Sequence, residues 1–228
     1  MGSFMLSLKA MTAESSAWSP RNHIVMSIPP LILASVSTSR RQLLANAGLA
    51  FDVESSGVDE DEAKHGLLAQ HASPQEIAET LAEMKALRVS AKHPQAMIVG
   101  GDSTLACQGR LFDKPPSMEA ARKQLLALRG QTHELFSSVV VARGGVRLWH
   151  FNERARLTMR PFNEAFLDAY LARAGDAVLS SVGAYQLEGL GAHLFSRVDG
   201  DYFTILGLPL LPLLSFLSGH GIGLMQAA

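Results

Sequence analysis

Ile98–Pro115 reads IVGGDSTLACQGRLFDKP, and the reading of this stretch decides the fold. The apolar run Ala96-Met97-Ile98-Val99 looks like a buried strand that runs into Gly100-Gly101 and then a single acid, Asp102. A Gln108-Gly109 turn follows, and Lys114 stands just before two prolines. Glycines at that point let a ligand or another backbone come close, and they leave the carboxylate at the mouth of a sheet. Asp supplies hard oxygen and Lys a point charge, so an acid and a lysine across a hairpin suit a metal and an anion bound side by side. Taken alone, the stretch is more plainly read as an ordinary hairpin with a turn Asp and a solvated Lys, and the other segments decide.

Upstream, Ser73-Pro74-Gln75-Glu76 is a capping box with proline at the first helical position, which predicts a helix running to about Ala91. Its apolar face is Ile77, Leu81 and Met84, and Lys85 lies on the margin of that face, where it reaches either a cleft or water. Earlier, Phe51-Asp52-Val53-Glu54 alternates like a strand, and Asp59-Glu60-Asp61-Glu62 reads as a solvated loop in which one acid can turn inward as a metal ligand. Ile32-Leu33-Ala34 is a short strand. From it Ser35-Val36-Ser37-Thr38-Ser39-Arg40-Arg41 leads into a helix carrying Leu43, Leu44 and Ala47 and stopped by Gly48. Strand, hydroxyl-rich loop and helix start make a phosphate-binding layout. Free N–H groups and the positive end of the helix dipole favour an anion near Ser35 and Ser37, and Arg40 or Arg41 adds a bidentate fork. An ordinary serine cap with surface arginines is the plainer reading of the same residues.

Downstream, Ser117 caps a helix carrying Ala120, Ala121, Leu125 and Leu128 and closed by Gly130. Leu135–Ala142 and Leu148–Met159 flank Gly144-Gly145 as a long hairpin, and Phe162–Ala174 returns to helix. The glycine-punctuated segment Gly183–Gly191 presents Tyr185 and Glu188 to a ligand and leads into an alternating strand, Ala192–Val198. Gly200-Asp201-Tyr202 reads as a turn, and Gly207-Leu208-Pro209 opens a terminal helix. These alternations indicate a mixed α/β chain without repeats and without a linker between independent domains.

The chain has 228 residues, 47% of them hydrophobic, enough to bury a core without staples. A formal charge of −1 excludes the basic field of a non-specific nucleic-acid binder. The single cysteine, Cys107, excludes a disulfide framework within one chain and a multi-cysteine zinc site; it reads as a small buried hydrophobe in a reducing, cytoplasmic protein. Residues 1–29 read as a loose N-terminal extension, because they lack the apolar core of a signal peptide and Leu6 stands where a Gly2 myristoylation motif wants Ser or Thr. Tyr202–Leu217 is interrupted by Pro209 and Pro212 and reads as a core-packed helix, not a membrane span.

Six ordered motifs resemble the Maf family of nucleoside triphosphate pyrophosphatases from about Leu31 to Leu217. They are LASVSTSRRQLL, VDE at Val58–Glu60, LAEMKA around Lys85, GGDS with Asp102, DKP with Lys114, and LRGQTH ending at His133; GAYQLEGLGAHLFSRVDGDYFTILGLPL continues the match. The resemblance implies an elongated α/β fold related to inosine-triphosphate pyrophosphatases, residues 30–228 forming one domain of two lobes around a central cleft, often dimeric. It implies hydrolysis of the α–β bond of a nucleotide with a divalent cation, Mg²⁺ or Mn²⁺. On that footing Glu60 and Asp102 hold the metal, Asp102 orients or deprotonates the attacking water, and Arg40, Arg41, Lys85 and Lys114 neutralise the polyphosphate.

Departures from the family pattern bear on the substrate. Thr38 and Ser39 stand where the family usually has Pro and often Arg, and Glu188 stands where Gln is common. A subgroup associated with 7-methyl-GTP has Glu there and also lacks the first arginine of the loop. An ionised carboxylate accepts only, so Glu188 suits the N1–H and N2–H₂ of a guanine edge and opposes the carbonyl oxygens of uracil or thymine. N7-methylation makes the base cationic, which favours a carboxylate and an aromatic stack on Tyr185. A dTTP/UTP-type pyrophosphatase and a non-catalytic regulator of septum formation are the competing readings.

Overall fold

The structure, a computed structural model, describes residues 28–224. The readings of the N-terminal extension and of Gly2 therefore fall on residues outside the described ones, save for Ile28 and Pro29. In chain order the elements are β1 (Leu31–Leu33), α1 (Thr38–Asn46), β2 (Asp52–Val53), α2 (Glu60–Ala69), α3 (Pro74–Ser90), β3 (Met97–Cys107), β4 (Arg110–Phe112), α4 (Met118–Leu128), β5 (Thr132–Arg143), β6 (Val146–Met159), α5 (Glu164–Ala174), β7 (Phe195–Asp199), α6 (Tyr202–Ile205) and α7 (Leu210–Ser218). Three short 3₁₀ helices, Gly175–Ser180, Val182–Ala184 and Leu190–Leu194, lie between α5 and β7.

The strands form one mixed α/β sheet of order β2-β1-β3-β5-β6-β7, with β4 paired to the far half of β3. β1 lies parallel to β2 and β3, and every pairing beyond β3 is antiparallel. The apolar run in β3 is buried on both faces, as covered strands require. Met97 and Val99 join Val139 and Val141 under Leu43 and Leu44 of α1 and Leu213 and Leu217 of α7. Ile98, Val140 and Ala142 face Ala82, Ala86 and Val89 of α3. A third cluster gathers Leu105, Phe112, Leu135 and Leu157 against Leu125 and Leu128 of α4 and Leu167 of α5.

The Gln108-Gly109 turn is the tight hairpin expected. Both residues have positive φ, 51° and 77°, which matches the right-handed twist of β3 and β4. Gly144 and Gly145 likewise close the β5–β6 hairpin, and Cys107 is buried. Four local readings are corrected. The acids after Val58 do not form a loop: Asp59 caps α2 through its carboxylate and Glu60, Asp61 and Glu62 make its first turn, where the helix dipole favours negative charge. Met84 is exposed instead of core-facing, since the buried stripe of α3 runs through Ile77, Ala78, Leu81, Ala82, Lys85 and Ala86. The strand after the glycine segment begins at Phe195, because Leu190–Leu194 is a 3₁₀ turn. Asp201 is the N-cap of α6, so the run from Tyr202 to Leu217 is two helices separated by Gly207-Leu208-Pro209. No helix among the described residues is long and apolar enough to cross a membrane.

Candidate active site

A cleft of about 350 Å³ opens between the loop after β1, the first turns of α2, the middle of β3, the segment after β4 and the Ser180–Glu188 loop. Its floor follows from the two glycines of β3. A Cβ on Gly100 would collide with the carbonyl oxygen of Ala82, so this glycine admits the backbone of α3. A Cβ on Gly101 would lie 3.0 Å from Arg40 Nε, so this one admits a side chain from the opposite face. Asp102, the next residue, is buried and lines the cleft.

Lys85 is also buried, and the cleft is where its ammonium goes. Its Nζ donates to Asp102 Oδ1 at 2.7 Å and lies 2.8 Å from Glu60 Oε2, so one cation bridges two carboxylates. A charge this deep is tolerated only when paired. Asp102 Oδ2 takes no hydrogen bond from the described residues.

Arg40 is buried too, but not as a free fork. Its Nε donates to Gly207 O at 2.7 Å, Nη2 to Ser103 Oγ at 3.0 Å and Nη1 to Ser35 Oγ at 3.5 Å. Three of its five N–H groups are thus engaged, and two are left for a ligand. Burial pulls its pKa below the ordinary arginine range, and the charges of Asp102 and Glu60 oppose that pull. Behind it Ser103 Oγ meets Ser137 Oγ at 2.9 Å, and Ser137 donates to Thr204 O at 2.8 Å. Ser35 Oγ accepts from the Ser37 amide and Ser37 Oγ accepts from the Arg40 amide. The amides of Thr38 and Ser39, in the first turn of α1, have no partner among the described residues.

The structure therefore brings together Ser35, Ser37, Arg40, Glu60, Lys85, Asp102, Lys114, Tyr185 and Glu188 along one cleft. Arg41 is the exception: it points to solvent on α1 and is not part of the lining, because Arg40 alone occupies the buried side of that turn. Lys114 and Glu188 are exposed at the mouth. Tyr185 is buried, its hydroxyl 2.9 Å from His133 Nε2 and its ring edge-on to Phe195. Sequence reasoning missed Lys64 of α2, which lines the cleft and pairs with Asp113. The signal available was its position four residues after Glu60, which places both on one helix face. It also missed Ser103 and the Gly207 carbonyl, which hold Arg40.

Among the described residues no group of three or more His, Cys, Asp or Glu side chains is placed to cage an ion. Glu60 and Asp102 nevertheless converge on one point, at the Lys85 ammonium. Two hard carboxylates fit a small divalent cation that takes its remaining ligands from water and phosphate oxygens.

The sequence profile of a family described as Maf-like protein matches residues 30–220. A nucleoside triphosphate pyrophosphatase of Paramagnetospirillum magneticum is 56% identical over 83% of this chain and 98% of its own length. One of Caulobacter vibrioides is 55% identical over 86% and 98%. A protein of Brucella abortus named 7-methyl-GTP pyrophosphatase is 50% identical over 81% and 93%.

Proposed function

The chain belongs to the Maf family, and from that premise we propose that it is a nucleoside triphosphate pyrophosphatase acting in this cleft on a guanine nucleotide, 7-methyl-GTP foremost. The observation that carries the reading is the buried Lys85 ammonium shared by Asp102 and Glu60 beside an Arg40 that keeps two of its five N–H groups free. That is an acid–cation floor a partner-binding surface has no need of.

A triphosphate needs several fixed donors, each charge-assisted bond being worth about 1.5–3 kcal/mol. The remaining N–H groups of Arg40 and the amides of Thr38 and Ser39 supply one set, and Lys114 supplies another at the mouth. Glu60 and Asp102 would hold a divalent ion, Mg²⁺ or Mn²⁺, which would supply further neutralisation of the polyphosphate. Lys85 fixes the Asp102 carboxylate through Oδ1, which leaves Oδ2 to hold a water and accept its proton. Attack of that water on the α-phosphorus, in line with the bridging oxygen to the β-phosphorus, breaks the α–β bond and releases pyrophosphate and a monophosphate. Lys114 meets the charge of the departing pyrophosphate.

Two substitutions test separate parts. Asp102→Asn keeps the shape but cannot take a proton, and turnover falls by about a hundredfold or more with the fold retained; pyrophosphate release close to wild type overturns the assignment. Glu188, exposed and without a protein partner among the described residues, lies at the rim of the cleft and is the side chain free to meet a base edge. The name of the Brucella relative, 7-methyl-GTP pyrophosphatase, supports a 7-methylguanine nucleotide as substrate. Hydrolysis of 7-methyl-GTP, GTP, UTP and dTTP is compared in wild type and Glu188→Gln. Wild type prefers the guanine nucleotides and the variant gains on the pyrimidines, whereas a wild type that prefers UTP refutes the guanine reading.

A further inference from the structure

The lining of the cleft carries four cationic side chains against five carboxylates. Without a divalent ion the lining is one charge negative, so a polyphosphate entering it competes with the carboxylates for the cations. One ion pair is built for that exchange. Lys64, on α2 and only 16% exposed, reaches across the mouth to Asp113, whose side chain is 70% exposed on the segment after β4. α2 fully buries none of its own residues, and two charged contacts, Glu60 to Lys85 and Lys64 to Asp113, tie its cleft-facing side to the rest of the site. Burial depresses the Lys64 pKa, while Asp102, Asp61 and Glu60 pull it back up, which places this ammonium in the field of the acids on the floor. Asp113, whose side chain is largely exposed, is the half of the pair that water can take back, whereas Lys64 stays in the cleft.

Resting on the pyrophosphatase reading above, we propose that Lys64 is a further polyphosphate-binding residue, kept across the cleft by Asp113 until the substrate's phosphates displace that carboxylate. The exchange is a substitution of one anion for another on the same ammonium, with no proton moved. It gives the two members of the pair opposite roles: Lys64 works for the substrate and Asp113 competes with it. A strap that only holds α2 in place gives them the same role, because losing either end breaks it.

The test compares Lys64→Gln, Lys64→Arg and Asp113→Asn. Inorganic tripolyphosphate is titrated into each full-length protein without metal, and KM and kcat are measured for the preferred nucleotide at low ionic strength. Lys64→Gln is expected to weaken tripolyphosphate binding and raise KM about tenfold with a smaller change in kcat, the loss of one charge-assisted contact. Lys64→Arg stays within about threefold of wild type, and Asp113→Asn tightens binding and lowers KM about threefold. If Lys64→Gln and Asp113→Asn shift binding in the same direction, or neither shifts it, the proposal is overturned. A wild type that hydrolyses no nucleoside triphosphate removes the pyrophosphatase reading, and the tripolyphosphate titration still decides between exchange and strap.

Discussion

His133 shows how a residue outside the chemistry shapes the cleft. It has no exposed surface; its Nε2 bonds to the Tyr185 hydroxyl and its Nδ1 has no partner, so burial pushes its pKa down to about 4. The ring is therefore neutral in the fold at neutral pH, while in the unfolded chain it titrates near 6.5. Between those values the unfolded chain binds a proton that the folded one refuses. Stability from this group is full above pH 6.5, falls as the pH drops and is exhausted near pH 4, a loss of about 3 kcal/mol. Denaturant unfolding of wild type and His133→Gln at pH 7 and pH 4 measures it: the stability advantage of wild type shrinks by about that amount on acidification, and a constant difference contradicts the account. The single acid after two glycines and the buried-margin lysine were legible from local pattern, since each depends on neighbours within one turn. Arg40 was legible as a cation but not as a tethered one, because its partners Ser103 and Gly207 lie 63 and 167 positions away. Arg41, adjacent and chemically identical, differs only in the helix face it occupies.

At the scale of elements, α3 does the positioning. Ser73 Oγ accepts from the Glu76 amide at 3.3 Å, and Glu76 Oε2 accepts from the Ser73 amide at 2.7 Å, which starts the helix at Pro74. From that start, with Ala82 and Ala86 packed against β3 fixing the phase, Lys85 comes three turns later to the inner face beside Asp102. Ser73→Ala removes one partner of the box and is expected to cost about 1 kcal/mol in chemical denaturation. Turnover per folded molecule stays unchanged, because the packing of Ala82 and Ala86 against β3 still fixes the phase. The capping box was readable because its grammar is local. The acidic run was not: four acids describe a solvated loop and a helix N-terminus equally well, and what separates them here is the Asp59 side chain accepting from the Glu62 amide. The same ambiguity joined α6 and α7 into one expected helix, although Gly207, at φ 98°, breaks it and turns its carbonyl toward Arg40.

For the molecule as a whole, the change from parallel to antiparallel pairing at β3 places Asp102 where α3, α1 and the later loops meet. Alternating apolar runs announced an α/β chain, but they carry no record of which strand is neighbour to which; strand order is a property of packing over the full length. The cleft inherits that property. Its lining begins at Ala34 and ends at Gly207, so the first residues to take part are made long before the last. During synthesis the Arg40 guanidinium emerges without the carbonyl that will orient it, and Glu188 follows well after the acids of the floor. A nascent chain consequently lacks part of the cleft's lining while β1 to β6 are assembling. The lining is complete only when the turn at Gly207 closes on Arg40.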